Sequence, residues 1–479
     1  MSLLIAALSV IAILLIISMD FSRKGPVTRP LPLTIGLLAA LNLPLLGYWL
    51  YHIALSAFSA GWRFFYLGAG AFLLLYFWLR LSLFPVADGI RTGLRCKVMI
   101  GGRFIALSAL WGILLEVIVI LAVYRLPLWT SYPLSLLITN AVYAAIMLFF
   151  LLFNGAARMF FTSRKLSVFY RVVMLLSFWI PFVNLVVLGI ACRLVFEEYD
   201  FACNKEDLRR IRAHSNLCDT KYPLIMVHGV LFRDLKYFNY WGRIPKELAR
   251  YGARVYYGNQ EAVGTIADNG RDIKQRIFDV MAETGSDKVN IIAHSKGGLD
   301  ARYVISALGM GDYVASLTTI STPHRGCRFM DFACHLPERF YRFLARIFNA
   351  VFKKLGDQNP DFYTATRQFT TGNSIVFNRD VPDCPGVYYQ SYMTKMKNAA
   401  SDWLLSIPYL IIKTLEGAND GLVSEESAKW GHYRGIITAK KRRGISHADI
   451  IDLKREDYKG FDVIETYVGI VSDLKGMGF

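Results

Sequence analysis

Six long apolar stretches follow one another through the first 193 residues: about Leu3–Met19, Leu31–Phe58, Trp62–Phe84, Phe104–Tyr124, Pro133–Phe153 and Val168–Arg193. An α-helix needs roughly 20 such residues to cross a bilayer core. The spacing therefore predicts an all-α transmembrane bundle of about six spans over residues 1–193, rather than helices buried in one large globular core. Composition divides at the same place. Residues 1–193 carry 15 Lys+Arg and three acids (Asp20, Asp88, Glu116), while residues 194–479 carry 39 Lys+Arg and 34 Asp+Glu. The formal charge of +17 thus belongs mostly to the apolar half. That distribution argues against a nucleic-acid partner, and the apolar content excludes a disordered chain.

Lys and Arg in short loops report orientation. Arg23, Lys24 and Arg29 fall in the first loop, Arg91, Arg95, Lys97 and Arg103 in the third, and Arg158, Arg164 and Lys165 in the fifth. The second and fourth loops hold about one each, Arg63 and Arg125. With six spans, this bias makes the odd loops cytoplasmic and puts everything after Arg193 on the extracytoplasmic face of a cell membrane. Arg209, Arg210 and Arg212 pull the other way. Glu116 is the one acid inside a span. Such a carboxyl marks either a functional site or a helix-to-helix hydrogen bond, with Asn42, Asn140 and Asn184 read as interhelical glue.

After a linker at 194–221 the pattern changes to strand–helix alternation over 222–479. Short apolar runs at Leu224–Val227, Arg254–Tyr257, Val289–Ala293 and Leu317–Ile320 read as strands, with helical spacing around 244–251, 269–284 and 297–308 between them. Strand, helix, strand at these lengths implies parallel pairing with right-handed crossovers, hence a mostly parallel, doubly wound α/β sheet.

Ala293-His294-Ser295-Lys296-Gly297-Gly298 ends the third strand and opens a helix. A nucleophilic serine needs that sharp turn, and the turn demands small residues two before and two after it. Ala293 and Gly297 satisfy this, with Ala293 one methyl larger than the usual glycine. Serine also needs a base, and the base an orienting carboxylate. In chain order the candidates are Asp420, in the polar turn Asn419-Asp420-Gly421, and His447, in Ser446-His447-Ala448-Asp449. His432 is a rival base; His228, His294, His324 and His335 read as turn or packing residues. An oxyanion needs preorganised amides, here those of Lys296 and, after His228-Gly229, of Val230.

These stretches, with Tyr240–Pro245, Tyr251–Tyr256, Ser321–Gly326 and Asn419–Gly431, resemble the bacterial triacylglycerol lipases of the α/β-hydrolase superfamily. The resemblance covers roughly 222–475 and leaves out the apolar half. It implies a Ser295–Asp420–His447 triad, an oxyanion hole at Val230 and Lys296, a mobile lid at about 326–370, and no required cofactor. Many members hold a structural calcium near the catalytic histidine. Asp449 matches one of its ligands and Asp402 is the nearest candidate for a second, whereas the third side-chain position is the apolar Leu453.

Within the lid region, Phe340, Leu344, Ile347, Val351 and Leu355 share one helical face, beside Arg339, Arg342, Arg346, Lys353 and Lys354. Aromatics with basic residues suit a helix lying on an anionic lipid surface. Seven cysteines give no framework; Cys327 with Cys334, and Cys203 with Cys218, are candidate pairs, leaving Cys384 free. The expected protein is a multi-pass, membrane-bound serine esterase acting on lipid, of unknown oligomeric state. Rival readings are lipid acyl transfer on the same triad, or a non-catalytic sensor or transport module.

Overall fold

A computed structural model describes residues 30–479 apart from 58, 84–91, 126–131, 181–182, 213–214, 232–238, 440–442 and 456–459. The first apolar stretch and the loop residues Arg23, Lys24, Arg29 and Arg91 lie outside the described residues. The chain divides into two units, Met1–Arg209 and Arg210–Phe479.

The first unit is helical: α1 (Pro30–Leu41), α2 (Leu43–Ala57), α3 (Ala60–Leu83), α4 (Leu94–Arg125), α5 (Leu134–Thr162), α6 (Val168–Ser177) and α7 (Val183–Ile211). Among the described residues, two helices are long and apolar enough to cross a membrane, Leu94–Leu121 and Leu134–Thr162. They become three if α1 and α2, bent by 82° at their junction, form one broken span. The described residues therefore support two or three spans and do not support the expected six. At the bend, Asn42 Nδ2 donates to Leu38 O at 3.0 Å and to Glu116 Oε1 at 2.8 Å, and Asn140 Nδ2 donates to Asn42 Oδ1 at 2.6 Å. Glu116 thus serves as a hydrogen-bond anchor for a broken helix.

The sixth apolar stretch fails as a span for a local reason. A helix of ten residues, α6, reaches only about 15 Å at 1.5 Å per residue, half of a bilayer core. It ends in a turn whose Phe178 ring lies 6.1 Å and 6.4 Å from those of Phe149 and Phe153, halfway along α5. Asn184 Nδ2 donates to Phe178 O at 3.2 Å and pins the turn. Then α7 runs back: Cys192 Sγ lies 3.9 Å from Met159 Sδ, and the Arg103 guanidinium covers the Phe196 ring at 4.8 Å. Glu198 reaches Arg95 at 2.7 Å and also accepts from Ser163 Oγ and the Lys165 amide. Chain entry and exit therefore lie at one end, the end that carries Arg95, Lys97, Arg158 and Lys165. Residues 194–211, expected as linker, are the charged second half of α7.

The second unit contains, among other elements, β1 (Leu224–Val227), α8 (Ile244–Arg250), β2 (Val255–Tyr257), α9 (Ile266–Thr284), β3 (Val289–His294), α10 (Lys296–Ser306) and β4 (Val314–Ile320). It continues with α11 (Glu338–Lys354), β5 (Tyr388–Thr394), α12 (Ser406–Leu415), β6 (His432–Ile437) and α13 (Val463–Gly476). The sheet order is β2-β1-β3-β4-β5-β6, with every pairing parallel. Side chains alternate across it. Leu224 and Met226 join α8 and α13 in one core, while Ile225 and Val227 join α9 and α10 in the other. Cores on both faces make the sheet doubly wound. Connections from β1 lead to β2 on one side and β3 lies on the other, and a crevice opens beyond the carboxyl ends at such a switch point.

Candidate active site

Ser295 follows β3 directly at φ 54°, ψ −130°, a strained conformation for a residue with a side chain. Its surroundings enforce it. A methyl group on Gly297 would meet the His228 carbonyl and lie 2.6 Å from the Val227 carbonyl, so only glycine lets α10 start against β1. A methyl on Gly229 would lie 2.6 Å from Tyr240 Oη and 2.8 Å from Ser295 Cβ. The backbone after β1, leading to Val230, therefore packs directly against the serine. The His228 ring steadies that backbone, with Nδ1 at 2.7 Å from Gly229 O and Nε2 at 3.0 Å from Gln260 O. The Lys296 amide opens α10, where helix N–H groups have no intrahelical partner. Its side chain turns away to a buried ion pair with Asp300 at 2.6 Å, itself held by Asn269 at 3.0 Å.

Asp420 and His447, 27 residues apart, meet in space: His447 Nδ1 lies 2.8 Å from Asp420 Oδ2. The His447 amide also donates to the Asp420 carbonyl at 2.9 Å, so backbone and side chain fix the same pair. Asp420 is fully buried. Its Oδ1 accepts from the amides of Leu422 at 3.0 Å and Val423 at 2.9 Å, and Oδ2 from Thr394 Oγ1 at 3.2 Å. Burial pushes the Asp420 carboxyl up, but the charge and hydrogen bond of His447 and the two amides outweigh it, leaving it below the usual carboxylate range. A carboxylate facing Nδ1 in this way leaves Nε2 of the imidazole as the proton acceptor.

Two members of the site were not legible in sequence. Thr394, at the end of β5, supports Asp420. His294, read as a plain turn residue, has its ring 4.4 Å from the His447 ring and its Nδ1 2.7 Å from Tyr240 Oη. The rival His432 stands exposed in β6. All seven cysteines are free thiols, so neither expected pair forms; Cys327 Sγ instead lies 2.9 Å from the Leu422 carbonyl.

Asp402 and Asp449 do come together, but around cations of the chain. Asp402 Oδ2 is 2.9 Å from Lys454 Nζ, and Asp449 takes Arg443 at 2.8 and 3.1 Å. Calcium wants six to eight oxygen ligands. Here the carboxylates already face cations and Leu453 packs in the apolar core, so the residues present do not fit the ion. The lid region is largely helical; Phe340, Phe343, Ile347 and Val351 of α11 are exposed, and Tyr341, Ala345 and Phe352 are its buried side.

A doubly wound parallel sheet with a serine turn after β3, an acid after β5 and a histidine after β6 defines an α/β-hydrolase. No family model matches the chain. A triacylglycerol lipase of Saccharomyces cerevisiae is 30% identical over 273 residues, which cover 51% of this chain and 78% of that protein. On that similarity the chain belongs to the triacylglycerol lipase family. A triacylglycerol lipase of Pseudarthrobacter phenanthrenivorans is 35% identical over 177 residues, 34% of this chain and 54% of that protein. One from Burkholderia plantarii matches at the same identity over 49% of its length, so the chain spans about half the length of these bacterial relatives. Among solved structures, a lipase of Bacillus licheniformis is similar at 18% identity and a TM-score of 0.40, over 53% of this chain and 92% of that one.

Proposed function

We propose that the chain is a membrane-anchored serine esterase that hydrolyses carboxylic ester bonds of lipids, either acylglycerols or glycerophospholipids. The observation that carries this reading is the Asp420–His447 pair at 2.8 Å, its imidazole 4.4 Å from the ring of His294, the residue that precedes Ser295 with its φ of 54°. Ser295 Oγ attacks the ester carbonyl while His447 takes its proton, and Asp420 fixes the imidazole tautomer and stabilises the charge that forms. The amides of Val230 and Lys296 receive the oxyanion. Collapse expels the alcohol, which takes the proton from His447 and leaves an acyl group on Ser295. Water, deprotonated by His447, then releases the fatty acid. These steps call for no cofactor. The names of the relatives support lipid as the substrate. A fluorophosphonate probe tests the reading: it should label the native protein and not Ser295→Ala. Folded protein that resists labelling would leave only a lipid-binding role.

The first unit anchors the enzyme in the bilayer. Counting six spans put the hydrolase half outside the cell. The return of α7 to the basic end supports the opposite face, because Lys and Arg favour the cytoplasm and the chain leaves at that end. Arg209, Arg210 and Arg212 then agree with the other loops. A fluorescent protein fused after Phe479 should fluoresce, and alkaline phosphatase fused there should stay inactive in a bacterial inner membrane. The reverse pattern would restore the extracytoplasmic placement.

A further inference from the structure

The turn that presents His447 is held from both sides by carboxylates. Ser446, one residue earlier, donates from Oγ to Asp402 Oδ2 at 2.9 Å and from its amide to Asp449 Oδ2 at 3.0 Å. Both acids are almost wholly buried, with side chains 1% and 2% exposed. Two like charges converging on one hydroxyl-bearing turn repel each other, and buried charges persist only when countered.

The countercharge is supplied by two side chains that reach in from the surface. Lys454 Nζ lies 2.9 Å from Asp402 Oδ2 and 4.0 Å from Asp449 Oδ1, so one ammonium faces both acids. Arg443 Nη2 meets both oxygens of Asp449, and its Nε donates to Ser401 O at 3.1 Å, next to Asp402. The remaining oxygen of Asp402 accepts from the Leu404 amide at 3.2 Å. Two acids and two bases give a cluster with no net charge. Its effect on the Asp402 carboxyl is in the same sense: burial pushes it up, and Lys454 and Ser446 bring it below its ordinary range.

We infer that Lys454, seconded by Arg443, occupies the role of a divalent cation here and is a positioning residue for His447. A cation between two carboxylates ties the segment before α12 to the turn after β6, and thereby sets the backbone of the base. A metal would need its own oxygen shell at the point where the ammonium sits. The lysine needs none, and Leu453 beside it can pack in the apolar core.

This inference rests on His447 being the catalytic base, and its test separates the two. The full chain, purified in mild detergent, is compared with Lys454→Gln and Lys454→Arg by thermal unfolding and by hydrolysis of a short soluble ester, with EDTA or with excess calcium chloride. The native protein should keep its Tm and rate in both additives. Lys454→Gln should lose about tenfold in kcat with KM within about twofold, and Lys454→Arg should restore most of it. A native Tm or rate that falls in EDTA overturns the inference, as does a Lys454→Gln variant with native kcat. If Lys454→Gln does not fold, the arginine variant and the EDTA comparison decide. The thermal arm needs no activity, so it stands even where Ser295→Ala labelling removes the esterase reading.

Discussion

The ring of His294 lies against the ring of His447, centroids 4.4 Å apart and planes inclined by 47°. A residue beside the nucleophile in sequence is thus also the floor beneath the candidate base. His294 is fully buried, with Tyr240 Oη on Nδ1 and no hydrogen-bond partner on Nε2.

That burial predicts how stability depends on pH. Burial, and then the charge of His447, hold His294 well below its ordinary value. Burial, and then Arg302 and Arg325, do the same to His324. The unfolded chain takes a proton on each near pH 6.5, whereas the folded chain resists it. Stability is therefore complete above about pH 6.5 and is lost as pH falls toward the folded values, by up to about 1.4 kcal/mol per pH unit for each histidine. Thermal unfolding between pH 7 and 5 should show the slope, and His324→Gln should flatten it; an unchanged slope would refute the assignment.

Asp420→Asn keeps an acceptor for the Leu422 and Val423 amides but turns a donor toward His447 Nδ1. The imidazole then carries its proton on the wrong nitrogen, and kcat on a short ester should fall about 10⁴-fold with the Tm little changed. Loss of less than about tenfold would mean another group orients the base.

Gly297→Ala places a methyl against the carbonyls of Val227 and His228, which are backbone and cannot step aside. Destabilisation of about 1–3 kcal/mol is expected, with lost fluorophosphonate labelling, read by thermal shift and gel fluorescence on the same samples. By contrast Gly309, at φ 68° with nothing within 4 Å of its missing methyl, should tolerate Asn.

The exposed stripe on α11 predicts an interfacial phenotype. Phe343→Glu with Ile347→Glu removes two side chains that each contribute about 1.5 kcal/mol or more when buried in lipid. Turnover of emulsified lipid should fall while short-ester turnover holds. Equal losses on both substrates would assign the stripe to substrate access or packing instead.

Sequence carried β1 to β4 better than β5 and β6. β1 is an unbroken apolar run, and β3 and β4 are rich enough in Val, Ile and Leu, despite Asn290, Ser316 and two threonines, to read as strands directly; all three are buried along their length. β5 (Tyr-Tyr-Gln-Ser-Tyr-Met-Thr) and β6 (His-Tyr-Arg-Gly-Ile-Ile) carry polar residues that tertiary pairing, not pattern, fixes as strands. Ser295 could be put forward from sequence because its turn demands small neighbours, and Asp420 and His447 because chain order and the lipase resemblance single them out, while Thr394 and His294 act only through contacts that folding creates. The sixth apolar stretch misled because hydropathy counts length and does not register a turn. Asp402 and Asp449 were found from a resemblance, yet the lysine and arginine between them sit at positions that no spacing rule flags.

An ion held by mass action comes and goes with its concentration. The cations around the His447 turn are tethered by peptide bonds, so their local concentration never changes. An enzyme whose candidate base is set this way would stay assembled at any free calcium concentration and would be blind to every calcium signal.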